Sequence, residues 1–332
     1  MTYTESLSAI GAAADAEVAA LLATVEQADV DYENQRNHIA ALDATIARLE
    51  ARIAELTAVT PPPVDPPAPA VGTLSWKPPT LTSPTTIKPT DNAGKIVLLA
   101  GRDYVIDIAG RTWKNTRGLH VEGGRNVVVI GGTVDVGAGF YSGGSGPGVM
   151  ANGYVKRAAY FLGQTGVVHL EGVAFMSSSG TLSEGVNVSA PLARVQVQNV
   201  RLDSPLLGTK DANHADALQC WNGPTWLGVD GFTATTGYQG MFLNPHDTST
   251  SSPVVDGWEL RNVEIIGTTA AKYILWRVKP PATIRTSEVY TSGGLGNWNG
   301  ATDWPGVVHG KRAPVTFAAT AGLGYVSPGY AV

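Results

Sequence analysis

The sequence has little cysteine, little charge and no long apolar run. One Cys among 332 residues excludes a disulfide framework and a cysteine-rich metal site. The net charge of −5 argues against a strongly basic nucleic-acid binder, and no apolar run is long enough to span a membrane. The opening residues MTYTESLSAI lack the basic and apolar regions of a secretory signal, so we expect synthesis in the cytoplasm without a signal peptide.

Glycine and proline are almost absent from the first part of the chain. Residues 1–58 contain one Gly and no Pro, with 10 acidic residues against 3 basic ones. Residues 61–79 contain 8 Pro, whereas residues 72–332 contain 38 of the 39 Gly and a small basic excess, 20 against 17. These shifts predict three segments: 1–58, a linker at 59–80, and a large domain at 81–332.

The first segment carries a heptad repeat. With Val18 at position a, the later a and d positions are Ile39, Leu42, Ile46, Leu49, Ile53 and Leu56. This narrow stripe predicts an α-helical coiled coil that oligomerises; the alternative is one amphipathic helix packed on the rest of the chain. Ile at a with Leu at d favours a dimer, but Arg52–Thr57 partly resembles a trimer motif, so the residues leave both open. The Pro-rich linker predicts a polyproline II spacer.

The large domain contains short β-type segments that recur in pairs. The longer members are 127–136, 167–176, 195–202, 227–234, 260–266 and 283–290, and the shorter ones are 118–123, 159–164, 185–190, 216–221, 240–245, 273–278 and 307–312. Gly172, Asn199, Gly231 and Asn262 recur within the longer members, and both residue types tolerate the left-handed backbone of a tight corner. A repeat of this length without helices predicts a solenoid, with an antiparallel sandwich as the competing architecture.

The repeat resembles the right-handed parallel β-helix of pectate-lyase-like proteins over about residues 95–312. Stalk, spacer and β-helix together resemble tail spikes and minor tail proteins of bacteriophages that infect actinobacteria. The resemblance implies a homotrimeric protein of the virion tail, with a dimer as the less favoured state. It also implies attachment to other tail proteins through the N-terminal stalk and binding of host cell-wall polysaccharide. For the Gly- and aromatic-rich segment of about 291–332 three roles stay open: a cap on the solenoid, a contact between subunits, or a receptor surface at the tip.

The candidate site centres on the polar cluster at 210–223. The stacking of coils predicts that polar and aromatic residues of three coils share one face. We predict His214, Asp216 and Asp247 as candidate catalytic residues. The predicted ligand-binding residues are Asp211, Gln219, Trp221, Asn244, His246, Trp276, Arg277 and Lys279. The arrangement of His214, Asp216 and Gln219 resembles one found in bacterial and phage β-helix proteins.

Two functions fit these residues. Binding of a host-envelope glycan without catalysis is slightly favoured. The alternative is a depolymerase that either hydrolyses the glycan with paired carboxylates or eliminates across a uronic acid whose charge Arg277 or Lys279 neutralises. A third possibility is a purely structural tail protein that binds no ligand, since Asp216 and Gln219 can also form hydrogen bonds with main-chain groups at a corner between strands. No metal, cofactor or nucleic-acid partner is expected, and Cys220 is predicted to be an inert buried thiol.

Overall fold

The computed structural model describes most of the large domain. The described residues are 74–137, 157–208, 214–244, 255–268, 271–278, 283–313 and 321–330, with Val18, Leu21 and Arg48 near the N-terminus. The chain divides into two compact units, Met1–Ala68 and Pro69–Val332. In the first unit the three described positions are helical. The rest of the predicted coiled coil, and the linker up to residue 73, lie outside the described residues, so the coiled coil stays a prediction.

The second unit is built mostly of short β-strands. In chain order they are β1 Thr85–Ile87, β2 Ile96–Leu98, β3 Tyr104–Asp107, β4 Thr112–Lys114, β5 Leu119–Gly123, β6 Val127–Ile130, β7 Thr133–Asp135, β8 Arg157–Leu162, β9 Val167–Glu171, β10 Ala174–Met176, β11 Glu184–Ser189, β12 Arg194–Leu202, β13 Asp216–Asn222, β14 Trp226–Thr236, β15 Gln239–Leu243, β16 Gly257–Gly267, β17 Leu275–Arg277, β18 Ile284–Ser292 and β19 Val308–His309. Among the described residues of this unit, the one α-helical turn is Gly300–Asp303. No helix in the described part of the chain has the length and hydropathy to cross a membrane.

The strands form two parallel sheets. The larger sheet has the order β1-β3-β6-β9-β12-β14-β16-β18-β19, with β4, β7 and β10 attached as a side branch, and the smaller has the order β17-β15-β13-β11-β8-β5-β2. From β11 to β18 the chain alternates between the two sheets, so each pass lies beside the previous one. Every strand pairing in the described residues is parallel. This confirms a mostly β chain with stacked parallel sheets, compatible with a parallel β-helix, and excludes the antiparallel sandwich for these residues.

The core lies between the sheets and is filled by alternate apolar residues. In the larger sheet Val197 pairs with Val229, and Val229 with Leu260, and all three are fully buried. In the smaller sheet Val186 pairs with Leu218 and is likewise fully buried. Because strand side chains alternate between faces, the residues between these positions point away from the core. The strand repeat thus places one set of side chains inside each coil and leaves the other for the surface.

A column of left-handed residues bends the larger sheet. Gly172, Asn199, Gly231 and Asn262 have φ values of 70°, 51°, 71° and 49°. The predicted corner positions are therefore confirmed. Gly231 lies between the pairs Gln198–Asp230 and Val200–Phe232, so it stacks on Asn199 in the next coil. The Asn262 side-chain amide donates a hydrogen bond to Asp230 Oδ1 at 2.6 Å, so a corner residue also binds the neighbouring coil.

Segments near both ends of the described unit cover the larger sheet. Trp76 makes two hydrogen bonds with Gln198, of 3.1 and 2.8 Å, and its ring packs edge-on against Trp226. Tyr325 lies over Gly172 and donates a hydrogen bond to the buried carboxylate of Glu171. Both segments therefore satisfy polar side chains on the outer face of this sheet.

Candidate functional site

Four neighbouring strands of the smaller sheet each begin with a polar residue. They are Arg157 in β8, Glu184 in β11, Asp216 in β13 and Gln239 in β15. The ladder register pairs Glu184 with Arg157 and Asp216 with Gln239. All four residues line one open cleft of about 400 Å³. The parallel stacking of coils therefore collects polar groups that are far apart in the chain.

Glu184 and Asp216, hereafter the carboxyl pair, are both buried. The main-chain N–H of Asp216 donates a hydrogen bond to Glu184 Oε2 at 3.0 Å, and Asp216 Oδ1 has no hydrogen-bond partner among the described residues. Burial raises the pKa of Glu184 to about 8. Burial, and then the charge of Glu184, raise the pKa of Asp216 well above its usual range. Two adjacent buried carboxylates repel each other, which favours retention of a proton by the pair, while the nearby charge of Arg157 acts in the opposite direction on Glu184.

An ordered amide lies beside the carboxyl pair. Gln219 lines the cleft, and its Oε1 accepts a hydrogen bond from Asn187 Nδ2 at 2.6 Å, so its orientation is set by the neighbouring coil. On the other side, His214 is exposed and its ring stacks on Tyr238 with centroids 4.5 Å apart. Carboxyl, amide and imidazole groups thus line one cleft, and together they can donate and accept several hydrogen bonds.

The same cleft has an aromatic side. The Phe242 ring contacts Trp221 and Trp276, with centroid separations of 5.9 and 5.3 Å. All three line the cleft, and Trp221 is 48% exposed. Flat apolar rings beside hydrogen-bonding groups suit ligands with apolar faces and polar edges, as sugars have.

The structure brings together five of the predicted site residues. His214, Asp216, Gln219, Trp221 and Trp276 line the cleft. Asp211, His246, Asp247 and Lys279 lie outside the described residues.

Arg277 and Asn244 do not line this cleft. The Arg277 guanidinium pairs with Asp303, whose carboxylate also accepts a hydrogen bond from Asn299 at 2.9 Å. This pairing lowers the pKa of Asp303, because the Arg277 hydrogen bond stabilises the carboxylate. Asn244 directly follows β15, and its main-chain N–H bonds the Cys220 carbonyl at 2.8 Å. The charge of Arg277 is therefore committed to Asp303, outside the cleft.

Sequence reasoning missed Arg157, Glu184 and Gln239. Each begins a short strand in which a polar residue precedes a small one and then an apolar one: RAA, EGV and QGM, matched by DAL at Asp216. Alignment of the short strands on this pattern would have placed all four residues in one register row. The dense cluster around Asp216 drew attention to one strand, whereas the cleft is assembled from four.

A second polar group is fully buried in the larger sheet. His169 lies 2.6 Å from Gln196 Oε1 and 2.7 Å from Glu171 Oε2, and Tyr325 covers Glu171. Burial by itself raises the pKa of Glu171, but the hydrogen bonds from His169, Tyr325 and Ser327 outweigh it and lower that pKa. Since the C-terminal segment seals this group, we assign it a structural role.

Comparisons of the chain with protein-family models, with curated proteins and with solved structures find no match. Within the described residues, no group of three His, Cys, Asp or Glu side chains is placed to hold a metal ion. The fold and the cleft therefore carry the functional argument.

Proposed function

We propose that the second unit is a right-handed parallel β-helix that binds a bacterial cell-envelope glycan in this cleft. The observation that carries the proposal is the meeting, in one open cleft, of the carboxyl pair, the ordered amide of Gln219 and the exposed ring of Trp221. A ligand with many hydroxyl groups and flat apolar faces is complementary to both sides of the cleft.

The protonation of the carboxyl pair supports a neutral ligand. A carboxyl group that keeps its proton can donate to one sugar hydroxyl and accept from another, whereas a carboxylate only accepts. An anionic ligand group beside this pair would meet the charge of whichever member ionises. The carboxyl pair therefore favours a neutral sugar where it makes contact, whereas Arg157 in the same cleft can bind an anionic group.

The sequence pattern of the N-terminal part of the chain supports a proposal about the assembly to which the binding domain belongs. The heptads of residues 1–58 and the Pro-rich linker are typical of a stalk that holds a receptor-binding domain away from its anchor. We therefore propose a homotrimeric tail appendage of an actinobacterial phage, attached through its N-terminal segment to other tail proteins. Sedimentation equilibrium of the full chain tests the assembly: a trimer is expected, and a monomer at micromolar concentration would overturn it.

Binding is tested with the full chain and a panel of purified actinobacterial cell-wall polysaccharides. Wild type is expected to bind at least one of them, and Trp221→Ala is expected to bind it at least tenfold more weakly, because an exposed stacking ring is lost. Leu192→Ala is the matched control, since Leu192 is also an exposed apolar residue, at 59%, but lies outside the cleft lining. Failure of wild type to bind any polysaccharide, or equal binding by Trp221→Ala, overturns the proposal.

Glycan hydrolysis is the second candidate function, and the carboxyl pair is the observation that favours it. The protonated member can donate its proton to the glycosidic oxygen as the C–O bond breaks. The ionised member can either add to the anomeric carbon as a nucleophile, with water later releasing the sugar, or accept a proton from the water whose oxygen adds there. Elimination cannot use Arg277 as its cation, because Arg277 is bound to Asp303, whereas Lys279 lies outside the described residues and Arg157 lines the cleft.

Two substitutions separate hydrolysis from binding. If the cleft hydrolyses the glycan, wild type releases reducing ends from the bound polysaccharide. Glu184→Gln and Asp216→Asn then lower that rate by about 10²–10⁴-fold while they keep binding. Release of unsaturated sugars would instead indicate elimination. If wild type binds but releases neither product, the cleft is a binding site only.

A further inference from the structure

Six of the seven strands of the smaller sheet, from β5 to β17, each contribute one residue to a single register row on its outer face. Registers pair His120 with Tyr160, Tyr160 with Asn187, Asn187 with Gln219, Gln219 with Phe242 and Phe242 with Trp276. Trp298 continues the row, because Asn297 pairs with Leu275 and the Trp298 N–H bonds the Leu275 carbonyl at 2.9 Å. We call these seven residues the axial row.

The alternating pattern of the strands places the axial row outside the core. Leu218 and Cys220, on either side of Gln219, are fully buried, and so are Met241 and Leu243, on either side of Phe242. The row residues therefore face away from the core. At the far end Trp298 is 37% exposed, so the aromatic end of the row is accessible, whereas His120, Asn187 and Gln219 are buried, at 5%, 1% and 7%.

The chemistry of the axial row changes along its length. The first positions are a buried histidine and Tyr160, whose ring lies under the Arg157 guanidinium at 4.6 Å. The central positions are the hydrogen-bonded amides of Asn187 and Gln219. The last three positions are the rings of Phe242, Trp276 and Trp298.

The aromatic end extends the cleft towards the last coils. Centroid separations are 5.3 Å from Phe242 to Trp276 and 6.1 Å from Trp276 to Trp298. Tyr273 packs edge-on against Trp298 at 4.9 Å and supports it from the side. Phe242 and Trp276 line the cleft of the carboxyl pair, whereas Trp298 lies one coil beyond it. The rings are thus a continuous extension of the cleft along the stack.

The accessible part of the row is long enough for several sugars. With neighbouring parallel strands about 4.8 Å apart, the four positions from Gln219, which lines the cleft, to Trp298 span roughly 14 Å. This spacing is comparable with the advance of a polysaccharide chain per sugar, so successive rings can contact successive sugars. A pocket for one monosaccharide would not need aligned rings on three coils.

We propose that the C-terminal part of the axial row, from Gln219 to Trp298, binds an extended polysaccharide segment parallel to the stacking direction. Phe242, Trp276 and Trp298 stack on successive neutral sugars on the C-terminal side of the carboxyl pair. This inference rests on the proposed glycan binding and assigns Trp298 and Tyr273 to the site for the first time. It also assigns the ligand class: a linear chain of several sugars rather than a terminal monosaccharide.

The test measures affinity against ligand length for the full chain. The probes are size-graded fragments, from about two to eight sugars, prepared by mild acid hydrolysis of actinobacterial cell-wall polysaccharide. Wild type is expected to gain at least tenfold in affinity between the short and long fragments. Trp298→Ala is expected to lose that gain but keep its affinity for the shortest fragments, and Trp298→Phe is expected to restore most of the gain because a stacking ring returns.

A matched control distinguishes the loss of ring stacking on a sugar from a general disturbance of the structure near Trp298. Leu295→Ala also removes an exposed apolar side chain, at 62%, three residues from Trp298 and outside the row, and should leave the gain unchanged. If wild type binds but its affinity does not depend on length, or Trp298→Ala keeps the gain, the inference fails and the proposed binding stands. If wild type binds no fragment, both fail. If Trp298→Ala changes only the subunit stoichiometry in sedimentation, the rings form a subunit contact and the inference is overturned.

Discussion

The main-chain N–H of Asp216 donates a hydrogen bond to Glu184 Oε2 at 3.0 Å, and this bond joins the first residues of two adjacent strands in one cleft. The two carboxyl groups are 32 positions apart in the chain. A buried pair of acids without a cation that fully compensates them is costly to the folded state. Such groups are commonly found where binding or catalysis requires them, and here they lie beside exposed aromatic rings.

The raised pKa values predict how stability depends on pH. The pKa of Glu184 is about 8 in the folded chain against an ordinary value of 4.5, so between these values the folded state holds a proton that the unfolded state releases. Stability should therefore fall as pH rises from about 4.5 to 8. Glu184→Gln, which is neutral at every pH, should reduce this fall in the melting temperature measured across that range, and burial of Asp216, which raises its pKa, should preserve the remainder.

The control for the pH prediction is Glu288→Gln, which removes an exposed carboxyl group from β18 of the larger sheet. It should keep the wild-type dependence. Equal slopes for wild type and Glu184→Gln would contradict the assignment of a protonated carboxyl group to the cleft.

The hydrogen bond from Tyr325 to Glu171 on the larger sheet predicts a large loss of stability when the Tyr325 hydroxyl is removed. Tyr325→Phe removes the hydroxyl that donates to the buried Glu171 carboxylate, and an underpartnered buried group costs about 1–3 kcal/mol. Tyr290→Phe removes a hydroxyl that bonds the exposed Glu288 at 2.6 Å and should change stability by less than about 0.5 kcal/mol. Denaturant unfolding of the two variants measures the difference, and similar losses would show that Tyr325 does not seal Glu171.

Two glycines with similar left-handed backbone conformations, Gly172 and Gly163, should respond differently to substitution by Ala. Gly172 and Gly163 have φ values of 70° and 74°, so Ala strains both by about 1–2 kcal/mol. A Cβ at Gly172 would also overlap the Tyr325 ring, whereas nothing lies within 4 Å of one at Gly163. Gly172→Ala should therefore speed hydrogen exchange in residues 321–330, and Gly163→Ala should not. Equal exchange in both variants would place the C-terminal segment elsewhere.

The single cysteine provides a probe of the core. Cys220 is fully buried, as predicted, and burial raises the pKa of its thiol well above the usual range. Reaction requires the thiolate, so a water-soluble thiol reagent should label the chain only when it unfolds. Mass spectrometry after brief labelling in buffer and in denaturant measures this. Full labelling of the native chain would contradict the burial of β13.

The recurring pairs of shorter and longer strands could be predicted from the sequence because apolar alternation and the corner residues are local signals. Asn199 and Gly231 mark the same corner in successive coils, and the structure places them in one column. The short strands β1 to β4 were missed, since strands of three or four residues carry too little alternation to be distinguished. Residues 307–312 were grouped with the short strands, but Val308 pairs with Tyr290 in the larger sheet.

The site was only partly predictable because it depends on stacking. Asp216 and Gln219 were found since their polar neighbours lie close in the chain. Glu184 reaches the cleft only through the register between β11 and β13. The partner of Arg277 is Asp303, 26 residues further on, and no local pattern indicates that pairing. Side chains that meet across coils are determined by register, which the repeat spacing alone does not determine.

Crystallographic location of a bound oligosaccharide tests the central claim most directly. Crystals of the full chain, soaked with a cell-wall fragment of about six sugars, should show the glycan in the cleft, in contact with Asp216, Gln219 and Trp221. Its chain should run along the stack towards Trp298. Glycan bound on the outer face of the larger sheet, or an empty cleft at a concentration that saturates binding in solution, would contradict the claim.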